Sequence, residues 1–114
     1  MDDRRKNNRI DAYDRGLQVR NGITGDPLGI VGNLSDGGMM LITRQQLQAE
    51  GILQLVIEAP PGADGGEIPI GAKILWCTPA NSPDEYWAGL EAIDISAAGR
   101  AALEDLLDHL ASNA

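Results

Sequence analysis

Short stretches of alternating apolar residues, separated by glycine-rich turns, constrain the fold of this chain more than any other feature. The clearest alternation runs through Ile68, Ile70, Ala72, Ile74 and Trp76. A period of two indicates a strand with one face in a core. The 114 residues include 14 glycines, about 12% of the chain against a usual ~7%. This excess favours many turns between short strands over a helical bundle.

Six strands are predicted, and six short strands with such turns suggest a small barrel or sandwich. Their approximate positions are 17–24, 28–34, 39–43, 52–57, 68–76 and 86–95. Turn-forming residues lie between them, at 25–27, 33–38, 60–66 and 78–84. The length of the chain is that of one domain, since domains usually have roughly 100–150 residues.

A helix is predicted at the C-terminal end. The spacing i, i+3, i+4, i+7 of one helical face is occupied by Leu103, Leu106, Leu107 and Leu110. Ser96 precedes this segment, and its hydroxyl is suited to cap the first helical turn. We interpret the leucine stripe as packing against the sheet and not as a groove for a partner.

A single stand-alone domain with three parts is therefore expected. We assign residues 1–12 to a flexible arginine-rich arm, 13–95 to a β-barrel and 96–112 to the C-terminal helix. The first residues are too polar for a signal peptide. The apolar stretches fall far short of the roughly 18–20 residues that span a bilayer. We expect a cytoplasmic protein without direct membrane insertion.

Histidine and cysteine, which are common in catalytic and metal sites, occur once each, and the many carboxylates form no spaced pair that indicates acid–base catalysis. His109 lies beside the leucine stripe, where we interpret it as a partly exposed helix residue. Cys77 follows Trp76 in a predicted strand and has no histidine near it in the sequence. Neither the ligand spacing of a metal site nor the lysine of a phosphate-binding P-loop is present. We therefore predict no enzymatic activity, no metal and no cofactor.

Charge is distributed unevenly along the chain. The first 20 residues carry six basic and four acidic side chains, whereas the other 94 carry three basic and 13 acidic ones. The acidic bulk argues against non-specific binding to nucleic acid or anionic lipid, because its long-range field is repulsive. Fields fade over about 8 Å at physiological salt. A cationic cluster near the N-terminus can therefore still hold a small anion.

The first candidate motif is that cluster, in which Arg4 precedes Arg5-x-x-x-Arg9. The rigid fork of a guanidinium matches phosphate oxygens and the O6/N7 edge of guanine. Guanidinium groups also stack on the planes of aromatic rings. Taken alone, the cluster is also typical of an ordinary solvated run of charged residues.

The second candidate motif is Asn33-x-Ser35-x-x-Gly38. Asn33 and Ser35 are two residues apart and point the same way in an extended chain. Both side chains are able to hydrogen-bond the edge of a base. Gly38 permits a positive φ or a close approach of the backbone to a ligand. Taken alone, this motif is also typical of an ordinary β-turn.

Together, in this order and spacing, the two motifs resemble the PilZ domain family. The resemblance covers about residues 4–112, and it includes Tyr86-Trp87-Ala88-Gly89-Leu90-Glu91, which is similar to the aromatic-x-Gly-hydrophobic strand of that family. It implies a mainly β fold, a six-stranded antiparallel PilZ-type β-barrel with a C-terminal α-helix. It also implies a bacterial receptor for the second messenger cyclic di-GMP.

The resemblance also implies which residues bind this ligand. By the family pattern, Arg5 and Arg9 clamp the phosphates and a guanine face. Asn33 and Ser35 read the guanine edge, and Gly38 shapes the turn. Asparagine has one acceptor oxygen where aspartate has two, so Asn33 is expected to read the N–H groups of guanine less strongly than aspartate.

Two further residues are carried over from the family. Trp76 stands before a long loop, in a place comparable to that of a tryptophan that contacts ligand in some members. Arg4 directly precedes the arginine motif, and in the family an arginine there goes with an intercalated pair of ligand molecules instead of one. Both residues are therefore candidate ligand contacts.

The predicted function is that of a cyclic di-GMP effector. On this hypothesis the arginine-rich arm closes over the bound dinucleotide, and the surface offered to a downstream partner protein changes. The alternative is a PilZ-like interaction module that no longer binds nucleotide. Such modules tend to lack the two motifs, which are present here.

Overall fold

Seven strands and one α-helix form in residues 9–60 and 66–112, the parts of the chain that the computed structural model describes. The strands are β1 (Ile10–Asp11), β2 (Gln18–Asn21), β3 (Pro27–Leu34), β4 (Gly38–Thr43), β5 (Ile52–Glu58), β6 (Glu67–Pro79) and β7 (Tyr86–Asp94). The helix α1 is Ala97–Ser112, and a 3-10 turn at Tyr13–Arg15 connects β1 to β2.

Six of these strands close into an antiparallel barrel. The strands lie in the order β3, β2, β5, β6, β7, β4, and β4 pairs with β3 to close the ring. Closure removes the exposed sheet edges on which other chains could pair. The predicted six-stranded antiparallel β-barrel with a C-terminal helix is thus confirmed.

The short strand β1 is an addition to the predicted barrel. It pairs with the end of β3, with Ile10 opposite Leu34 and Asp11 opposite Asn33. Ala12, which follows it, is fully buried. Pairing with the sheet therefore begins at Ile10, before the predicted boundary at residue 13. A two-residue strand is too short to show any alternation in sequence. The rest of the predicted arm, residues 1–8, lies outside the described residues.

The first predicted strand also ends three residues earlier in the structure than the sequence indicates. The prediction extended it through Ile23 to Thr24, whereas β2 ends at Asn21. The side chain of Asn21 accepts hydrogen bonds from the backbone N–H groups of Ile23 and Thr24, at 2.8 and 2.9 Å. This Asx-type turn ends the strand and leaves Ile23 78% exposed.

The helix packs on the barrel through the predicted stripe. Leu103, Leu106 and Leu110 are buried, and Leu107 is partly buried against the same core. The Ser96 Oγ accepts a hydrogen bond from the Gly99 N–H at 2.9 Å, so the predicted cap is confirmed. Within residues 9–60 and 66–112, the structure holds no helix whose length and hydropathy would let it cross a bilayer.

Replacing Ser96 with alanine is expected to lower the free energy of unfolding by about 1 kcal/mol, the usual effect of losing a helix cap. Urea unfolding followed by circular dichroism measures this loss. The matched control is Ser82→Ala, in the exposed loop between β6 and β7. Equal stability of the two variants would show that the cap contributes nothing.

Candidate functional site

Arg9 and Asn33, one residue from each predicted motif, are in contact across 24 residues of sequence. The Arg9 Nη1 donates a hydrogen bond to the Asn33 Oδ1 at 3.1 Å. Strand β1 produces this contact, because Asp11 pairs directly with Asn33 and Arg9 lies two residues before Asp11. Arg9 is exposed and Asn33 is partly buried. The pair is therefore open to a ligand from the outer face of the barrel.

A bulge at Gly32 turns Asn33 to that outer face. Val31 pairs with Leu41, and Asn33 pairs with Met40, so Gly32 is an extra residue in β3. In a regular strand, Asn33 would share the inner face with the fully buried Val31. The extra residue shifts the alternation, so that Asn33 faces outward before the chain returns to the core.

The contact with Arg9 also determines how the Asn33 amide is oriented. A guanidinium has donors and no acceptor, so the amide oxygen has to face Arg9. The Asn33 amide nitrogen, with its two N–H donors, is thereby turned away from Arg9. Both side chains consequently offer donors to any further partner.

The pair lies at a depression of about 410 Å³ on the barrel surface. The N-terminal segment lines it with Arg9, Asp11 and Tyr13, and the barrel lines it with Gly32, Asn33, Met40 and Trp87. Its volume is within the range of about 300–1,000 Å³ that is usual for small-molecule sites. A larger groove of about 520 Å³ lies elsewhere on the barrel, around Ile30 and Ile42, and contains no residue of either motif.

Ser35 and Gly38 form the turn that follows Asn33. The Ser35 hydroxyl accepts from the Gly37 N–H and donates to the Gly38 carbonyl, each at 3.3 Å. The Ser35 N–H donates to the same carbonyl at 2.9 Å. Ser35 is buried, and these hydrogen bonds engage its hydroxyl within the turn. Its role in reading a guanine edge stays a prediction.

Gly38 is required by close packing of the backbone and not by a positive φ. A Cβ at this position would overlap the Leu90 carbonyl oxygen on the neighbouring strand β7. Gly38 pairs with Glu91 there, one residue further along. The glycine thus lets β4 and β7 approach each other directly after the turn.

Trp76 lies on the same outer face but at a distance from Arg9 and Asn33. Asn33, Met40, Gly89 and Trp76 are paired in a row across four neighbouring strands. Measured along the curved wall of the barrel, three strand spacings of about 14 Å in total separate the ends of this row. The Trp76 indole covers Gly89, which has no side chain. Trp76 is not among the described residues that line the depression.

The outward direction of Trp76 departs from the period-two pattern. Ile74 pairs with the buried Leu90, and Trp76 pairs with Gly89, so Leu75 is an extra residue in β6. This bulge reverses the alternation, and 42% of Trp76 is exposed. An uninterrupted period of two would put Trp76 on the inner face with Ile74, and a bulge has no signature in that spacing.

Two other N-terminal arginines have partners elsewhere. The Arg15 Nη1 donates to the Leu110 carbonyl at 3.2 Å, near the end of α1. Arg20 forms ion pairs with Glu67 and Glu58, and its hydrogen bond to Glu67 is the main cause that raises the pKa of Arg20 above its ordinary value. Neither arginine lines the depression.

The remaining predicted contacts, Arg4 and Arg5, lie outside the described residues. Conversely, the depression contains two aromatic residues that are not among the predicted contacts, Tyr13 and Trp87. The sequence did contain a signal that could have selected Trp87, namely that it lies two residues before Gly89 in the family-like strand. Two residues at that spacing share one face of a strand.

The family model described as PilZ domain matches residues 3–109 of this sequence. The chain belongs to the PilZ domain family. The predicted family is therefore confirmed, over a range that contains the positions of both motifs. No curated protein is significantly similar in sequence.

Solved structures with the same fold include two longer chains and one PilZ domain. The inhibitor of motility MotI/DgrA from Bacillus subtilis has a TM-score of 0.71 and 20% identity, over 93% of this chain and 50% of that one. YcgR from Escherichia coli, in complex with cyclic di-GMP, has a TM-score of 0.71 and 16% identity, over 93% and 45%. This PilZ domain thus spans about half the length of both proteins.

The isolated PilZ domain of YcgR from Escherichia coli, with cyclic di-GMP, matches over most of both chains. Its TM-score is 0.70 at 14% identity, covering 93% of this chain and 90% of that one. At such identities, the three likenesses establish a shared fold.

Proposed function

We propose that this PilZ domain is a receptor for cyclic di-GMP and that it binds the dinucleotide at the depression around Arg9 and Asn33. One observation carries the proposal, the 3.1 Å hydrogen bond that joins the second arginine of the first motif to the asparagine of the second. The fold supports it, because the similar PilZ domain of YcgR holds cyclic di-GMP.

The chemistry of the paired side chains matches the ligand. Cyclic di-GMP has two anionic phosphates, and each guanine offers O6 and N7 as acceptors on one edge. Arg9 keeps further N–H donors beyond the one used by Asn33, and Asn33 turns its amide donors away from Arg9. The proposed contacts are therefore from Arg9 to phosphate and to a guanine acceptor edge, and from Asn33 to that edge.

The arm would supply the remaining positive charge. Arg5 is five residues before Ile10, which β1 anchors beside Asn33. Five residues span at most about 18 Å, so Arg5 is tethered near the same depression. Ligand binding is then expected to close the arm over the dinucleotide, with Ser35 and Gly38 supporting the turn below it. The closed arm changes the surface offered to a downstream protein.

Calorimetric titration of the purified chain with cyclic di-GMP tests the proposal. We expect saturable binding, and in heteronuclear NMR spectra we expect the amide signals of Gly32 and Asn33 to shift as the ligand is added. Cyclic di-AMP is the matched control ligand, because its phosphates are the same and its base lacks O6. Absence of binding would contradict the receptor function and leave the alternative, a protein-interaction module.

The same titration tests the proposed role of Arg4. If Arg4 favours an intercalated pair, the wild-type chain binds two molecules per domain and Arg4→Ala binds one. The stoichiometry, and not the affinity, is the quantity compared. One molecule bound by both proteins would contradict the role of Arg4 without affecting the receptor function.

A further inference from the structure

The wall of the depression next to Asn33 is formed by an aromatic ring. Trp87 points outward from β7, where it pairs with Ile42 of β4. Its Cζ3 atom lies 3.5 Å from the position that a Cβ on Gly32 would occupy. The indole therefore reaches across β4 to the residue directly before Asn33.

Gly32 makes this approach possible. A side chain at Gly32 would meet the Met40 Cε at 3.2 Å and the Trp87 ring behind it. With only a hydrogen there, the side chains of Met40 and Trp87 pack directly over Gly32. The bulge that turns Asn33 outward thus also brings a flat apolar ring beside it.

The two tryptophans of the chain differ in what their rings face. The Trp76 indole lies directly over Gly89. The Trp87 indole lines the depression that also contains Arg9 and Asn33. Trp87 is partly buried, so its position is held by its neighbours while part of the side chain remains accessible.

We infer that Trp87 is the aromatic platform on which one guanine of the bound dinucleotide stacks. This inference rests on the proposed function, and it assigns a contact to a residue outside both motifs. A planar purine stacks readily on an indole, and such stacking tolerates any base because every base has a π-face. Trp87 thus supplies affinity, while the donors of Arg9 and Asn33 distinguish the base by its edge.

Intrinsic fluorescence can assign the platform because Trp76 and Trp87 are the two tryptophans of the chain. Trp76→Phe leaves Trp87 as the only indole, and Trp87→Phe leaves Trp76. We expect cyclic di-GMP to quench the emission of Trp76→Phe along the same binding curve that calorimetry gives for that variant. In Trp87→Phe, the emission of Trp76 is expected to change much less.

Affinity measurements give a second readout. Trp87→Leu is expected to bind cyclic di-GMP roughly 5- to 150-fold more weakly, equivalent to about 1–3 kcal/mol for one stacked base. Trp87→Phe retains a ring and is expected to recover most of that loss. Circular dichroism and thermal unfolding identify a variant that does not fold. If Trp87→Leu fails to fold, the fluorescence comparison of Trp87→Phe with Trp76→Phe still shows which tryptophan the ligand stacks on.

The outcomes separate this inference from the proposed function. If calorimetry shows binding and the Trp87 emission does not respond, stacking on Trp87 is contradicted and the receptor function is left intact. The same holds if quenching occurs only in Trp87→Phe, because Trp76 would then carry the stack. No binding to the wild-type chain would overturn both.

Discussion

Replacing Arg9 with alanine is expected to weaken cyclic di-GMP binding roughly tenfold to more than a hundredfold. Loss of one charge-assisted hydrogen bond usually costs about 1.5–3 kcal/mol. Arg9 is expected to show the full effect because its guanidinium lies at the open depression and contacts Asn33 at 3.1 Å. Its removal also takes away the group that orients the Asn33 amide. Calorimetric titration measures the change in Kd.

Arg100→Ala is the matched control for this prediction. Arg100 is an exposed arginine in the first turns of α1, so its removal changes the net charge by the same amount at a different place. We expect the Kd of this variant to stay near the wild-type value. Equal weakening in both variants would mean that overall charge, and not the site, determines the affinity. Wild-type affinity in Arg9→Ala would contradict the proposed site.

Arg5→Ala extends the same experiment to the arm. If the arm closes over the ligand, the loss of this second guanidinium weakens binding by a similar factor. If Arg9→Ala binds the ligand weakly and Arg5→Ala binds it like the wild type, the proposed site is supported and the proposed closure of the arm is contradicted.

Replacing Gly38 with alanine is expected to lower the free energy of unfolding by about 1–3 kcal/mol, the usual cost of forcing an extra methyl group into a packed site. The added Cβ would overlap the Leu90 carbonyl oxygen, which belongs to the backbone and cannot rotate away. Strands β4 and β7 would have to separate where they are paired. Thermal unfolding should therefore begin several degrees below that of the wild type.

Gly37→Ala is the matched control, because it adds the same methyl group one residue earlier. A Cβ at Gly37 meets no atom within 4 Å. We expect its unfolding temperature to be close to that of the wild type. A Gly38→Ala variant as stable as Gly37→Ala would show that the barrel accommodates the methyl group, and Gly38 would then have no packing role.

The N-terminal arginines show why a charge count alone could not locate the site. Arg9, Arg15 and Arg20 all belong to the cationic first part of the sequence. In the folded chain, Arg15 contacts the end of α1, and Arg20 pairs with two glutamates. Arg9 is directed to Asn33 because β1 pairs beside it. Each of these partners is distant in sequence, so composition could not distinguish the three arginines.

The sequence by itself determined the six barrel strands, the capped helix, the family and the two motifs. Alternation, turn residues and capping are local features, so they can be identified within a few neighbouring residues. The tertiary structure decided which side chains meet at the site. The bulges at Gly32 and Leu75 and the pairing of β1 with β3 depend on register between distant strands. A one-residue shift in register turns a side chain to the other face of the sheet, which is how Asn33 and Trp76 come to point outward. The order of the strands then places Trp87, and not Trp76, beside Arg9 and Asn33.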